Sequence, residues 1–364
     1  MTEKLIAIDA CCLGRQKTGN ETYVRGLLSG LEEIQPPGYR ICVITTASHK
    51  GNRSPCFQWM EIPLGNFLSR NFRAIPEALV TLKADLYHAS YWTRFWAQPC
   101  PSLLMVHDLS FVSFPKGFHR HEQFVYSQVV QKCARAARHL VTVSEFSKQE
   151  LMTHWKIAPD DITVTYDGID AHFQPAQTAS QTAEPYILYV GNLHPRKNLV
   201  RLIEAFVLLK SKRHIPHHLK IVGQAAWLAD DIFRAVRNRN LENAVEFTGY
   251  VEQSKLVSLY QQATLTVYPS LYEGFGLPPM EAMACGCPVV TSNRTSLPEV
   301  TGGSAVLVNP DSAADIARGI SCILDDNGLR EQLIKAGPRQ AGKFTWRGCA
   351  EQTVLAYDKA LRQA

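Results

Sequence analysis

The sequence predicts an α/β protein of two doubly wound, Rossmann-like domains facing across a cleft. Three observations carry the prediction. At 364 residues the chain is long for one domain and suits two of ordinary size. Short runs that are apolar along their whole length alternate with longer helical patterns, as parallel strands covered on both faces require. The alternation breaks once, over 171–185, where AHFQPAQTASQTAEP is polar, rich in Ala, Gln, Thr and Pro, and without apolar period. It restarts with YILYVGN.

The first half offers strands at Leu5–Ile8, Arg40–Thr45, Leu86–His88, Ser102–Val106, Leu140–Val143 and Ile162–Thr165. The second half offers Tyr186–Val190, Leu219–Val222, Val245–Thr248, Leu265–Tyr268, Pro288–Thr291 and Ala305–Val308, with helical patterns such as Asn198–Lys210 and Ser254–Ala263 between them. The expected domains are 1–172, a linker 173–184, a second domain 185–342, and a terminal segment 343–364. In such sheets ligands sit beyond the carboxyl ends of the strands, so the cleft is the expected site.

Composition narrows the classes. Hydrophobic residues make up 46% and charged residues 20%, an ordinary globular balance. The net charge is +5, with 18 Lys/Arg against 16 Asp/Glu up to residue 180 and 20 against 17 after it. This even spread gives no electrostatic case for nucleic-acid binding. MTEKLIAIDACCL reads as a first strand rather than a secretory signal, and no stretch approaches the roughly 20 apolar residues of a membrane helix. The ten cysteines read as a reduced thiol set, which makes a cytoplasmic location the expectation. Cys285 and Cys287 lack the second ligand pair a zinc site needs. The acid pairs Asp160-Asp161, Asp230-Asp231 and Asp325-Asp326 read as surface turns, and no Asp-x-Asp metal motif stands at a strand end.

The richest stretch is YPSLYEGFGLPPMEAMACGCPVV, residues 268–290. A strand ends at Tyr268, a glycine-rich loop Glu273-Gly-Phe-Gly276 follows, and a helix begins near Pro278. Glycines let the backbone approach a ligand. A helix start offers N–H donors and a positive dipole end to hydroxyls and phosphate. Glu273 and Glu281, eight positions apart, can each face one end of a ligand, accepting from vicinal diols. The bland alternative is a strand–turn–helix with an ordinary acid in its first turn. In YILYVGNLHPRKNL, residues 186–199, Arg196 and Lys197 stand together before a helix that Asn198 can cap. Such a pair suits a diphosphate, although an adjacent Arg-Lys pair is often only solvated surface.

These segments together resemble the family-4 retaining glycosyltransferases of the two-Rossmann-domain fold called GT-B. The resemblance rests on Glu273-x7-Glu281 in EGFGLPPMEAMACGCPVV, on GNLHPRKN, on FTGYVEQSKLVSLYQQA at 247–263 and on SLPEVTGGSAVLVNP at 296–310. It spans nearly the whole chain and is densest after residue 184. It implies a hexose donor that is a nucleotide-diphosphate sugar, UDP-glucose-type or GDP-mannose-type, used without metal or other cofactor. The implied acceptor is a saccharide or lipid-linked saccharide of a surface polysaccharide, with peripheral contact at the inner membrane face as a further expectation and no nucleic-acid partner.

By the resemblance, Glu273 binds donor-sugar hydroxyls near the reacting carbon, and the amides of Gly274, Phe275 and Gly276 reach the same sugar. Leu277 continues the phosphate-facing loop. Glu281 binds the ribose, Val251 lines the base, and Arg196 and Lys197 stabilise the leaving diphosphate. Many members carry Arg where this chain has Asn192, so the leaving-group charge rests more on Arg196 and Lys197. Domain closure is expected to exclude water, and segment 343–364 is expected to cross back to the first domain.

In the first half, Leu13-Gly-Arg-Gln-Lys-Thr-Gly-Asn-Glu-Thr-Tyr23 follows the first strand. Gly19 is expected to let this loop approach the donor phosphates, and Glu21 to meet an acceptor hydroxyl or to cap the helix. His107 and Asp108 end a strand. The resemblance assigns His107 to the transferred sugar, and Asp108 to orienting it or meeting the acceptor. His88-Ala-Ser-Tyr-Trp92 fits either stacking on an acceptor sugar or a core edge. Ser144 and Ser147 read as helix caps, and Tyr166-Asp-Gly-Ile-Asp170 as a tight turn near the hinge. Two rivals share the architecture: a sugar-nucleotide 2-epimerase and a non-catalytic sugar-nucleotide binding protein. A dinucleotide dehydrogenase is excluded, because no Gly-x-Gly-x-x-Gly follows the first strand.

Overall fold

The structure is a computed structural model that describes residues 3–14, 19–46, 51, 53–90, 92–176, 184–225 and 229–362. Residues 177–183 of the polar 171–185 stretch, Arg15–Thr18 of the first loop and Tyr91 lie outside the described residues. The chain forms two units, Met1–Gly168 with Phe344–Ala364, and Ile169–Lys343.

The first unit holds a seven-stranded sheet in the order β3-β2-β1-β4-β5-β6-β7, parallel throughout. Its strands are β1 (Lys4–Asp9), β2 (Tyr39–Thr46), β3 (Gln58–Ile62), β4 (Leu86–Ala89), β5 (Ser102–Met105), β6 (His139–Thr142) and β7 (Ile162–Val164). The second unit holds a six-stranded parallel sheet in the order β10-β9-β8-β11-β12-β13. These strands are β8 (Tyr186–Val190), β9 (His218–Val222), β10 (Val245–Gly249), β11 (Leu265–Tyr268), β12 (Val289–Ser292) and β13 (Val306–Val308). Twelve of the thirteen match the apolar runs to within a residue or so at each end. The missed strand is β3, whose sequence QWMEI is only partly buried. It lies at a sheet edge, and Gln58 and Glu61 leave it no apolar run longer than two residues.

The helix Trp346–Arg362 belongs to the first unit. Three glycines make room for Trp346. A Cβ on Gly26 would come within 2.0 Å of its ring, one on Gly30 within 2.1 Å of its carbonyl oxygen, and one on Gly168 within 2.2 Å of its nitrogen. Gly168 is thus explained by a close approach and not by the tight turn expected of 166–170, which runs without regular structure. Farther along the same helix, Tyr357 OH lies 2.9 Å from Nδ1 of buried His88, whose Nε2 faces Tyr23 OH at 3.3 Å. Two of the acid pairs also depart from the surface-turn reading. Asp230 and Asp231 open the helix Asp230–Arg237, where their charge suits the dipole, and Asp325 ends Ala313–Asp325.

Candidate active site

In the second unit the strand order reverses between β8 and β11, which lie side by side. A crevice at such a switch point is where doubly wound sheets bind ligands. Two glycines shape the strand ends here. Gly191 and Gly223, after β8 and β9, both have φ +147°, and a Cβ on Gly223 would lie 2.1 Å from the Gly191 carbonyl oxygen. Only glycine lets the two backbones run this close.

The loop after β8 leads into a short turn, Pro195–Lys197, in which His194 Nδ1 accepts from the Arg196 N–H. Asn198 follows in a left-handed conformation, φ 64°. Its side chain does not cap the helix Leu199–Arg213, contrary to expectation. Its Nδ2 donates to the carbonyls of Pro269 and Pro310 instead, at 3.0 and 2.7 Å. The amide therefore ties the β8 loop to the β11 loop.

That tie brings the cations to Glu273. Lys197 Nζ donates to Glu273 Oε1 at 2.6 Å and to Tyr268 OH at 2.5 Å, while Arg196 Nη1 reaches Glu273 Oε2 at 3.4 Å and the Tyr272 carbonyl at 3.0 Å. Tyr268 OH and Ser270 Oγ also donate to Oε1, at 3.0 and 2.5 Å. Glu273 is only 6% exposed. Burial by itself would raise its pKa, but Lys197 and Arg196 outweigh it and hold the carboxyl at about 2. The cluster is a charged, partly desolvated set of donors, with one anion facing two cations.

The glycine-rich loop is braced from β12. Thr295 Oγ1 accepts from the Glu273 N–H at 3.3 Å, and Ser296 Oγ lies within donating distance of the carbonyls of Glu273 and Phe275. Gly274 and Phe275 are buried in this brace. Gly276 has φ 108°, and a Cβ there would meet Leu297 at 2.6 Å. The helix Leu277–Ala284 starts after it. Its second and third residues are Pro278 and Pro279, which carry no N–H, so of the first three positions only Leu277 can donate. The row of N–H donors expected at this helix start is correspondingly reduced.

Glu281 sits one turn on. Tyr260 OH donates to its Oε2 at 3.0 Å. Burial raises its carboxyl to about 7, and the charge of Asp170 pushes the same way against the tyrosine bond. The two glutamates of one loop and helix thus have opposite electrostatics. Val251 follows β10 and stands half-buried just before the helix Gln253–Gln262.

The first unit carries the other expected residues. His107 follows β5; its Nε2 is 3.3 Å from Asn20 Oδ1, its ring stands edge-on to Tyr23 at 5.0 Å, and its carbonyl accepts from Ser147 Oγ. Burial pushes it down to about 4 against the pull of Asp108, so the imidazole is neutral at neutral pH. Asp108 Oδ1 accepts from the Ser110 N–H at 2.8 Å. Gly19 opens the helix Gly19–Ile34 with free space where a Cβ would stand. Glu21 is buried, and its Oε1 is taken up by Arg25 and by the Gly14 N–H, which accounts for it as a brace of the preceding loop. Ser144 caps the helix Glu145–Trp155 as expected, whereas Ser147 spends its hydroxyl on His107. Trp92 packs edge-on to Phe67 and against Tyr126, the core-edge alternative.

Sequence reasoning missed Tyr268 and Ser270, which complete the cluster around Glu273. The available signal was position: both lie between the end of β11 and the first glutamate.

Two family models match the chain. "Glycosyl transferases group 1" covers residues 170–340 and "Glycosyltransferase Family 4" covers 18–173. The O-antigen chain mannosyltransferase B of Escherichia coli is 34% identical over 261 residues, 69% of this chain and 68% of that protein. Among solved structures, sucrose-phosphate synthase from Thermosynechococcus elongatus superposes with a TM-score of 0.82 at 23% identity, covering all of both chains. Anabaena HepE, solved in complex with UDP and glucose, gives 0.74 at 17% identity over 98% of this chain and 99% of that one. The two structural likenesses speak to the fold.

Proposed function

This chain belongs to the family-4, group 1 glycosyltransferases of GT-B fold, and on that premise we propose that it transfers a hexose from a nucleotide-diphosphate sugar, with retention of anomeric configuration. The acceptor we propose is a saccharide, carried on a lipid, in the synthesis of a surface polysaccharide. The observation that carries the reading is the buried Arg196–Lys197–Glu273 cluster at the strand-order switch of the second unit. Of the two donor types, a GDP-mannose-type donor is favoured by the identity with an O-antigen mannosyltransferase.

In this reading the diphosphate takes over the donors of Arg196 and Lys197, which then stabilise the charge developing on the leaving group. Two cations supply the neutralisation, so no metal is required. Glu273 stays ionised throughout and accepts from sugar hydroxyls. Glu281 accepts from the ribose, and Val251 lines the base. Gly274, Phe275, Gly276 and Leu277 supply the backbone that lies against the sugar and phosphate. Gly19, His107 and Asp108 keep the roles the resemblance assigns. Neutral His107 suits a hydrogen bond to a sugar hydroxyl better than a charge contact. The reaction is placed, in this reading, at the cytoplasmic face of the membrane.

Thermal shift with UDP, GDP, ADP and their common sugar derivatives, with and without magnesium, tests this. A ligand that binds only the folded state raises the melting point by mass action. A shift with the guanosine family, without magnesium and lost in Lys197→Ala, is the expected result. A shift that needs magnesium overturns the metal-independent reading, and no shift with any nucleotide overturns the donor site. Proton NMR of the product's anomeric signal then decides retention.

A further inference from the structure

The first sheet also has a point where its strand order reverses, between β1 and β4, and polar side chains gather beside it. His88 lies on β4, opposite Ile8 of β1 and Leu103 of β5. His107 follows β5. Asn20 and Tyr23 belong to the helix Gly19–Ile34, and Tyr357 to the helix Trp346–Arg362.

Tyr23, His88 and Tyr357 are 1%, 1% and 0% exposed. Burying a polar atom costs free energy unless a hydrogen bond offsets it. Phenylalanine would fill the same space without that demand, so these polar atoms call for a reason. Their contacts run in one line. Tyr357 OH lies 2.9 Å from His88 Nδ1, His88 Nε2 lies 3.3 Å from Tyr23 OH, and the Tyr23 ring meets the His107 ring edge-on at 5.0 Å. The line starts on a fixed base. Trp346 is seated against three glycines at one end of the helix, and Asp358, next to Tyr357, accepts from Tyr39 OH of β2 at 2.5 Å. It ends at His107, outside the core.

His88 can be the middle link because it is neutral. Burial, and after it the neighbouring His107, push it down to about 3. A neutral imidazole has one donor and one acceptor nitrogen, and a hydroxyl can be either, so the two tyrosines satisfy both.

His107 has a second restraint. Its Nε2 is 3.3 Å from Asn20 Oδ1, and Asn20 stands three residues before Tyr23, on the same helix face. An amide oxygen only accepts, so Nε2 carries the hydrogen of this neutral ring and Nδ1 keeps its lone pair.

We propose that Asn20 and Tyr23 are positioning residues that hold His107 with its hydrogen on Nε2 and present Nδ1 as an acceptor to a hydroxyl of the transferred sugar, and that His88 and Tyr357 carry this hold from the C-terminal helix. The proposal rests on the reading that His107 meets that sugar. It gives the last helix a task at the reacting end of the first sheet in addition to packing. A ring aimed in advance from two sides need not be ordered when the sugar arrives.

Nitrogen-15 NMR of the full chain, labelled in its histidines, tests the hold without turnover, because the ring nitrogen bearing hydrogen and the one with the lone pair resonate far apart. His107→Gln identifies the signals. Wild type is expected to show a single His107 tautomer, with hydrogen on Nε2. Asn20→Ala should mix the two tautomers, whereas Asn20→Asp, which keeps an acceptor oxygen, should retain the one. Tyr357→Phe and Tyr23→Phe keep their rings and cut the line at either end, so each should shift or broaden the His107 ring signals. Leu355→Ser, at an exposed position of the same helix, should not. Thermal melts show that the variants fold. Hexose transfer from GDP-mannose adds a second readout: Asn20→Ala and Tyr357→Phe should lower kcat by roughly tenfold or more, with the donor KM changed far less. A wild-type His107 with hydrogen on Nδ1, or with mixed tautomers, overturns the proposal. So do tyrosine variants that leave both the ring signals and kcat unchanged. A His107→Ala chain that transfers hexose as wild type does would sink the sugar-contact reading and with it the task of Nδ1, whereas the tautomer decides the hold by itself.

Discussion

Lys197 and Glu273, 76 positions apart in the chain, meet with Nζ 2.6 Å from Oε1. Both are nearly buried, with side chains 12% and 8% exposed. Breaking such a pair by removing one partner leaves an uncompensated buried charge, which is more costly than the pair itself is favourable. The pair is therefore a means of holding two charges in a dry pocket, ready to be shared with a ligand that carries both phosphate and hydroxyls. A diphosphate can take donors from Lys197 and Arg196 while sugar hydroxyls replace them on Glu273.

Tyr268 OH stands between those two charges, 2.5 Å from Nζ and 3.0 Å from Oε1, and its ring stacks on Tyr189 at 5.8 Å. Tyr268→Phe should keep the stack and lose the bridge. We expect a stability cost of about 1–2 kcal/mol and roughly a tenfold fall in kcat, with the donor KM changed less, because Lys197 is bound but no longer aimed. Steady-state kinetics beside a urea melt separates the two effects. An unchanged kcat would show that the hydroxyl does not position Lys197.

Glu273 makes the fold acid-sensitive. Its carboxyl titrates near 2 when folded, against an ordinary 4.5, so folding favours the ionised form. That contribution is fully present above about pH 4.5 and is lost as pH falls towards 2. It is worth on the order of 3 kcal/mol at neutral pH. Urea unfolding between pH 2 and pH 6 should show wild type losing about that much more stability than Glu273→Gln. The variant should be less stable at neutral pH, since Lys197 and Arg196 then lack their counter-ion. Parallel pH profiles for the two proteins would contradict this.

Much of this was readable from the chain, for a physical reason. Strands covered on both faces must be apolar throughout, so most stood out, while β3, with Gln58 and Glu61 among its five residues, did not. The loop bearing Glu273 was legible because glycines, a strand end and a helix start lie within a dozen residues. The pairing of that loop with Lys197 was not, because Asn198 makes the tie across 71 and 112 positions and local spacing carries no trace of it. For the same reason Asn198 looked like a cap, and Gly168 like a turn glycine when its neighbour is Trp346.

Trp346 itself gives a test of how the C-terminal helix is held. At Gly30, replacing glycine by alanine inside a helix would ordinarily gain about 1 kcal/mol from propensity. Here the new Cβ would meet the Trp346 carbonyl oxygen at 2.1 Å, a backbone atom that cannot swing aside. Overpacking of this kind costs about 1–3 kcal/mol, so Gly30→Ala should be a net destabilisation. Trp346→Ala should cost about 2–4 kcal/mol by leaving a cavity. Thermal melts check both, with limited proteolysis reporting release of 344–364. A stabilised Gly30→Ala would mean the helix docks more loosely than these distances require.

Glu281 predicts that nucleotide affinity rises with pH near neutrality. Burial raises its carboxyl to about 7, Asp170 adds to the rise, and the Tyr260 hydroxyl works against both. An ionised carboxylate accepts from ribose hydroxyls on both oxygens, whereas the protonated form gives up part of that capacity. The ionised fraction grows roughly tenfold between pH 6 and pH 8, so affinity should grow by about that factor, with a proton released on binding. Stability of the unliganded chain should move the other way. A carboxyl that holds its proton more tightly when folded costs stability as pH rises from about 4.5 through 7. Titration calorimetry at pH 6, 7 and 8, in buffers of different ionisation enthalpy, reads affinity and proton release together. Glu281→Gln should flatten both trends, and Asp170→Asn should shift the midpoint to lower pH by removing a like charge. A wild-type affinity independent of pH, with no proton released, would place the ribose away from this carboxylate.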